Sequence, residues 1–577
     1  MLPALPARPS ATRGPALRPS RRTVLLGLGA AAALPAVQVA GSSAALADDV
    51  TISDLLLQVG ADETSRNLAW FTSEDAAQTV QLALAEAMTD ETFPTTYSSV
   101  TATTGATITD GEYYQHATLS GLAAETDYVY RVGSETAGWS EVYSFSTQAA
   151  SSTFSFVFVG DPQIGSSHDN AGDGEGWATT IALAEASYPD TAFVLTSGDQ
   201  VDTASNEEQY TYFLAPEQFT SIPLATALGN HDYSSTAYHE HFNVPNVSDT
   251  YGLAADATQS GGDAFFVWND ALFITLNTNN TDTDGHLAYV EATMNAHPDA
   301  AWTIVVFHHS VFSTASHAFD DYIVTLRDVL PAAFSELGVD LVLMGHDHHF
   351  TRSYLMNGTG ISAAETAGSV SGTVVPEEGD VLYLTANSSS GSKFYADNSR
   401  IDECYWAAID DQQEHPNFTY VTVSEDTITL TTVDTTTEAV VDQVVLAPVS
   451  EDDSDDTGSG GTGSGDTGSG DTGSAGRAET RTRLNLTRHR QVRGGTAARA
   501  RVTVTAVGSD EVVRGRVKIF AGERLVRTAT LKKGTAVVTL PKTLSVGTHE
   551  LHAVYVRTDD YRRSVSSART LRVRRAR

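Results

Sequence analysis

Phe154-Ser-Phe-Val-Phe-Val159, running directly into Gly160-Asp161-Pro162-Gln163, is the stretch from which the fold can be read. Aromatic and β-branched residues favour a buried strand, and the polar turn that follows ends it. The same arrangement recurs downstream. Ala192–Thr196 leads into Ser197-Gly198-Asp199-Gln200-Val201-Asp202, and Pro223–Leu228 into Gly229-Asn230-His231-Asp232. Trp302–Phe307 leads into His308-His309, and Leu341–Met344 into Gly345-His346-Asp347-His348-His349. Between these strands, and beside a further one at Leu272–Leu276, residues 177–187, 206–214, 286–297 and 320–337 read as helices. Such alternation predicts an α/β layered domain. Residues 378–447 return to strand patterns, including Asp380–Thr385 and Phe418–Val423, and are expected to finish a second sheet.

Upstream, residues 50–148 show short strands and turns without a helical period: Leu68–Phe71, Tyr113–Leu119, Tyr128–Val132 and Tyr143–Thr147. This predicts an antiparallel sandwich with Trp70 and Tyr128 in its core. Its later strands, from Leu119-Ser-Gly-Leu122 to Thr126-Asp-Tyr-Val-Tyr-Arg-Val132, resemble a fibronectin type III-like domain. Downstream, residues 450–476 are Asp, Gly, Ser and Thr repeats, an acidic linker composition. Beyond it, alternation at Arg501–Thr505, Val517–Phe520, Ala536–Leu540 and Leu551–Tyr555 predicts a small Ig-like sandwich over 477–577. The expected domains are therefore 48–150, 151–449 and 477–577, preceded by a leader at 1–47. That leader has Arg21-Arg22, an apolar run and Ala45-Leu46-Ala47, the pattern of an export signal of twin-arginine type. It predicts a secreted or cell-wall-associated protein.

The chain has 577 residues and a formal charge of −37, unevenly placed. Residues 477–577 hold 24 Lys and Arg against 7 Asp and Glu, whereas residues 48–476 hold 6 against 65. A basic domain after an acidic body points to separate partners: an anionic cell-wall polymer for the tail, or the acidic body of the chain itself. No motif for specific nucleic-acid recognition is present, and no apolar run downstream of the leader is long enough for a membrane helix. The single cysteine, Cys404, excludes an intramolecular disulfide.

Because ligands in α/β sheets gather beyond the carboxyl ends of strands, the five polar clusters are expected to meet at one site. Carboxylate, amide and imidazole donors without thiolate suit Zn, Fe or Mn. A glycine before Asp161, Asp199, Asn230 and His346 is expected where each strand must turn sharply.

The ordered set Gly-Asp, Gly-Asp, Gly-Asn-His, His, Gly-His-x-His resembles the calcineurin-like metallophosphoesterase family, in particular its purple acid phosphatase-like branch. The likeness extends over about 50–447, since that branch also carries a fibronectin-like domain ahead of the catalytic one. It implies a two-metal centre hydrolysing phosphate esters through a metal-activated water. Asp199 would bridge the metals, Asp161 and His348 would complete most of one shell, and Asn230, His308 and His346 would hold the other. His231 would contact the phosphate and protonate the leaving group, with Asp232 orienting it, and His317 would face the substrate. The sequence departs from the branch in two places. Asp202 stands where purple members have a metal-binding tyrosine, and Gln163 where the wider family often has histidine. The first metal's remaining ligand is thus Gln163, Asp202 or water, and the tyrosinate colour should be absent. The resemblance implies a phosphomonoesterase. A phosphodiesterase on the same centre and a catalytically dead surface-binding protein are the alternatives.

Overall fold

The computed structural model describes residues 50–447 and 478–575, except 90, 91, 152, 363–371, 378, 489, 494–496, 508–511, 523, 557, 559 and 560. The leader and the acidic linker lie outside the described residues.

The catalytic region is built from two sheets packed face to face. In the first, β1 (Phe154–Val159), β2 (Thr191–Thr196) and β3 (Leu224–Thr226) run parallel. Antiparallel strands Asn417–Val423 and Ile428–Asp434 extend that sheet beyond β1. In the second, β4 (Ala271–Leu276), β5 (Trp302–Phe307), β6 (Leu341–Met344) and β7 (Leu382–Thr385) run parallel. Residues of opposite parity along β1 separate the layers, as the two-residue period of a strand requires. Phe154, Phe156 and Phe158 point between the sheets and meet Phe273, Ile304, Val306 and Leu343. Val157 and Val159 point outward, under a cluster that includes Trp177, Ile181, Tyr210 and Phe213 of α1 (Asn170–Ser187) and α2 (Glu207–Phe213). On the far side, α3 (Thr283–Ala296) and α4 (Asp321–Leu337) cover the second sheet through Val290, Met294, Leu326, Leu330 and Phe334. This is the expected pair of sheets flanked by helices, but the strands of 378–447 divide between them: Leu382–Thr385 and Ala407–Asp411 join the second sheet, whereas Phe418–Val423, expected there too, lies on the first beside β1.

The helix starts are set by side-chain caps: Asp169 accepts from Gly172 N at 3.1 Å, Asn206 from Glu208 N at 3.1 Å and Asp282 from Gly285 N at 3.0 Å. Helix α1 begins seven residues before the expected 177. Gly172, Gly174 and Gly176 hide it from a propensity reading. A Cβ on Gly176 would lie 2.0 Å from Ser390 O. That glycine lets the helix lie against a loop of the site.

The N-terminal sandwich carries Trp70 and Tyr128 in its core as expected. It is not set apart from the catalytic layers. Strand Ile52–Val59 pairs in parallel with β3 at Gln58 and Leu224, so one sheet of eleven strands runs through both.

The C-terminal sandwich has sheets of three and six strands around Val502, Val504, Val517, Ile519, Leu551 and Tyr555. It docks on the second helical layer. Phe520, Leu525 and Val554 join the apolar cluster under α3 and α4. Around them Arg516 pairs with Asp340 at 2.8 Å, Arg563 with Asp299 at 2.6 Å, and Arg524 with Glu291 at 2.5 Å. No helix among the described residues is long and apolar enough to cross a membrane.

Phe156 is fully buried and stacks on Phe193 at 5.0 Å between the two sheets, away from every polar cluster. Phe156→Ala is expected to destabilise the fold by about 3–5 kcal/mol, read from urea unfolding followed by tryptophan fluorescence.

Candidate metal centre

All five polar clusters lie past the carboxyl ends of parallel strands and come together. Donor atoms of Asp161, Asp199 and His308, all buried, lie within 4.8 Å of one another. His308 Nε2 stands 3.2 Å from Asp199 Oδ2, 2.8 Å from Asn230 Oδ1 and 3.1 Å from His346 Nδ1. His348 Nε2 approaches Asp161 Oδ1 at 3.9 Å. The two imidazole tautomers are fixed from behind. His308 Nδ1 donates to Ser197 O at 3.2 Å and His348 Nδ1 donates to Lys393 O at 3.0 Å, which turns both Nε2 lone pairs into the site.

The electrostatics fit cations. Burial pushes the Asp161 carboxyl above its usual range. Burial opposes charge on His308, but the adjacent Asp199 carboxylate overrides it and raises the imidazole to about 9. Burial holds His348 down to about 3 and His346 well below the ordinary value, so both stay neutral, the form that ligates. Gln163 gives a further sign. Its Nε2 donates to Asp202 Oδ1 at 3.3 Å, while its buried Oε1 has no partner. An orphaned acceptor beside these donors is what a cation would satisfy. Of the three alternatives for the open position, Gln163, Asp202 and water, Gln163 is the one that brings a buried oxygen without a partner.

Backbone strain concentrates here as well. Asp199, His346, His348 and Gln163 have φ of 51°, 72°, 40° and 36°, in the left-handed region that ordinary residues seldom occupy. Of the four glycines ahead of the ligands, only Gly198 has positive φ, at 108°. The expected sharp turn is therefore not the general reason. A Cβ on Gly229 would fall 2.0 Å from Asp199 Oδ1, and one on Gly345 2.4 Å from Asp161 Oδ2, so close approach demands glycine there.

The expected hydrogen bond from Asp232 to His231 is replaced by another arrangement. The fully buried Asp232 carboxylate accepts from Asp199 N at 2.7 Å, Gly229 N at 2.8 Å and Gln200 N at 3.0 Å. It shapes the turn that presents Asp199. His231 is oriented instead by Asp202: Nδ1 donates to Asp202 O at 2.7 Å, with Asp202 Oδ1 3.6 Å away. The His231 side chain is 33% exposed, so its Nε2 is the nitrogen left to meet a ligand. His317 lies at the margin, its ring 4.6 Å from that of His346 and its Nδ1 2.7 Å from Asp320 Oδ2.

Two features went unread in the sequence. Ser388, Ser389 and Ser390 donate to Asp161 O, Gly160 O and Pro162 O, clamping the first ligand loop. This run follows β7 just as the ligand clusters follow their strands, but it contains no metal donor to draw attention. His309, buried with Nδ1 2.8 Å from Thr278 Oγ1, packs its ring 4.8 Å from His346. Cys404 is buried, and burial pushes its thiol up to about 11, which leaves it unactivated.

Residues 154–350 match the calcineurin-like phosphoesterase model, the segment that supplies every one of these donors. The chain carries a calcineurin-like phosphoesterase domain. It is thereby a metal-dependent phosphoric ester hydrolase, and the family implies a dinuclear metal centre. Residues 52–147 match the purple acid phosphatase N-terminal domain, and residues 484–574 a bacterial Ig-like domain of group 3. No curated protein matches the chain. Among solved structures, a purple acid phosphatase from yellow lupin (Lupinus luteus) seeds is similar at 16% identity and TM-score 0.55, over 69% of this chain and 74% of its own. The anchor of the Plasmodium inner membrane complex is similar at 15% identity and TM-score 0.35, over 52% and 90%. The lupin likeness is one of fold. The phosphoesterase domain itself departs from the purple pattern at Asp202.

The Asp232 carboxylate holds main-chain N–H groups, that of Asp199 among them, and Asp232→Ala is expected to weaken metal binding by about 10–100-fold, measured by titration of the metal-free protein. Unchanged metal affinity would return Asp232 to a role on His231.

Proposed function

We propose that the protein is an exported phosphomonoesterase that takes terminal phosphate from organic esters outside the cell. The observation that carries this reading is the pairing of a largely buried donor set with a half-exposed histidine. Asp161, Asp199, Asn230, His308, His346 and His348 would hold two metals, with Gln163 beside the first. When bound, such a pair lowers the pKa of a water and neutralises charge on a phosphoryl group. Zn, Fe and Mn all suit the donors, and without a tyrosine at position 202 the enzyme should be colourless.

The protein's own part is orientation and proton transfer. His231 donates its Nδ1 proton to the Asp202 carbonyl, so the proton it can exchange with a leaving oxygen sits on Nε2. His317, 30% exposed, lies on the same open side next to His346. Two histidines at the mouth of a metal site suit the oxygens of a terminal phosphate. Export follows from the leader sequence.

The Ig-like domain extends this reading. Its arginines at 516, 524 and 563 bind the acidic body, whereas Arg481, Arg483, Arg499 and Arg501 are exposed on the three-stranded sheet. We read that second face as a tether to an anionic cell-wall polymer. Contacts among exposed charges are screened over about 10 Å at 0.1 M salt, so the tether is salt-sensitive.

Two measurements test these readings. Chelator should abolish hydrolysis of aryl and alkyl phosphates, and His231→Ala should keep its metals while kcat for alkyl esters falls by about 10²–10⁴. Activated aryl esters, which need little leaving-group protonation, should lose less; equal losses would remove His231 from the proton-transfer role. For the tether, changing the four exposed arginines to glutamine should end salt-sensitive co-sedimentation with cell walls. Equal sedimentation of both proteins would refute it.

A further inference from the structure

The catalytic body is almost without cations, and where its few cations lie is informative. Residues 48–476 contain six Lys and Arg among 65 Asp and Glu. Five of the six are engaged in structure. Arg66 is 1% exposed, bonds Ser65 O at 2.7 Å and covers the Trp268 ring at 4.6 Å. Arg131 bonds Gln81 at 2.9 Å on the N-terminal sandwich, between Phe93 and Trp139. Arg327 is buried against Val311 O and the Trp406 ring. Arg352 pairs with Asp442 at 2.5 Å in the interior, and Arg400 with Glu403 on the surface.

The sixth is Lys393, the one lysine of the body, and it stands at the metal centre. Its carbonyl is the group that orients His348. Its ammonium lies 4.8 Å from the Tyr395 ring centroid. That ring in turn meets His317 at 5.0 Å and His348 at 5.3 Å, edge to face in both cases. The ammonium is therefore within about 10 Å of the His348 ring, on the side of the site where His317 lies. Lys393 is half-buried, and among the described residues no carboxylate pairs with its ammonium. In a body with a tenfold excess of acids, a lysine left without a carboxylate is placed to meet an anion from outside.

We propose that Lys393, with Tyr395 beneath it, binds a second anionic group carried by the leaving part of the ester. The favoured substrates would then be phosphate esters whose alcohol itself bears a carboxylate or a further phosphate. This rests on the phosphoesterase reading above and names its substrate class. The ammonium reaches the centre through Tyr395, whose ring touches the marginal His317 and the buried ligand His348, on the flank away from the donors around His308, where the reacting phosphoryl group belongs. A substrate anion that approaches this strongly acidic body is repelled at long range, and Lys393 supplies the local compensation. A half-buried contact is screened by salt less than an exposed one.

The test compares glycerol 3-phosphate with 3-phosphoglycerate, which differ in whether the leaving alcohol carries a carboxylate. It measures kcat/KM for wild type, Lys393→Gln and Lys393→Arg, each loaded with metal. The readout is the ratio of the two values, which does not depend on how much of a preparation holds metal. Wild type should favour 3-phosphoglycerate, Lys393→Gln should lower the ratio about 10–100-fold, and Lys393→Arg should restore most of it. A ratio unchanged in Lys393→Gln, or a loss shared equally by both esters, overturns the assignment while the phosphoesterase reading stands. Failure of metal-loaded wild type to hydrolyse either ester overturns both.

Discussion

The site depends on a buried carboxylate that is not itself a ligand. Asp232 draws backbone N–H groups from two loops, Gly229 from one and Asp199, Gln200 and Val201 from the other, onto two oxygens. Leaving such N–H groups unpaired in a dry interior would cost about 1–3 kcal/mol each. Satisfying them with one side chain fixes the distance between the loop that carries Asn230 and the loop that carries Asp199. It also keeps Asp199 at positive φ, with Oδ1 accepting from His231 N at 2.8 Å and Oδ2 facing His308. Burial raises the Asp232 carboxyl and the neighbouring Asp199 raises it further, so the two acids repel. Positive charge between the loops relieves that repulsion. The dinuclear metal centre that the family implies would supply such charge.

The sequence made the donors legible and their supports illegible, for a physical reason. A metal ligand must be one of a few residue types at a strand end, so Asp161, Asp199, Asn230, His308, His346 and His348 stand out as a set. The supports are mostly main-chain groups. Ser197 O and Lys393 O fix the histidine tautomers, and Asp202 O orients His231. Any residue has a carbonyl, so no residue type marks the position. Adjacency along the chain likewise pairs Asp232 with His231, whereas the turn sends the two side chains to different partners. The serine run at 388–390 is an intermediate case, placed by the strand rule but silent in its chemistry.

Strand positions were readable because their alternation and apolar runs leave a strong period. Phe154–Val159, Trp302–Phe307 and Leu341–Met344 match the expected limits. The start of α1 was not readable, because its glycines serve the contact with Ser390 rather than helix propensity. The parallel pairing of Ile52–Val59 with β3 was beyond reach for another reason. A strand's sequence states which face is buried but not which edge it will meet. A single register contact, Gln58 with Leu224, joins the sheet of the N-terminal domain to the catalytic sheet.

The basic tail posed two alternatives in the sequence, docking on its own chain or binding an outside polyanion, and charge alone could not divide them. The Ig-like domain docks on its own chain through one part of its surface, and the proposed polyanion would take another. On the larger sheet, Arg516 and Arg524 flank apolar residues Phe520 and Leu525, which bury against α3 and α4, so charge and apolar contact coincide at the dock. On the smaller sheet, Arg481, Arg483, Arg499 and Arg501 alternate with buried Thr482, Leu484, Ala500 and Val502. The period of two sends every one of these arginines to solvent, with Val537, opposite Arg501, exposed beside them. A surface of that composition has no dry core with which to bind a folded protein, but it suits a flexible chain of anions. Docking therefore accounts for Arg516, Arg524 and Arg563, and it leaves the arginines of the smaller sheet, with Arg490, Arg572 and Arg574 of the larger one, exposed to solvent and open to the proposed polyanion.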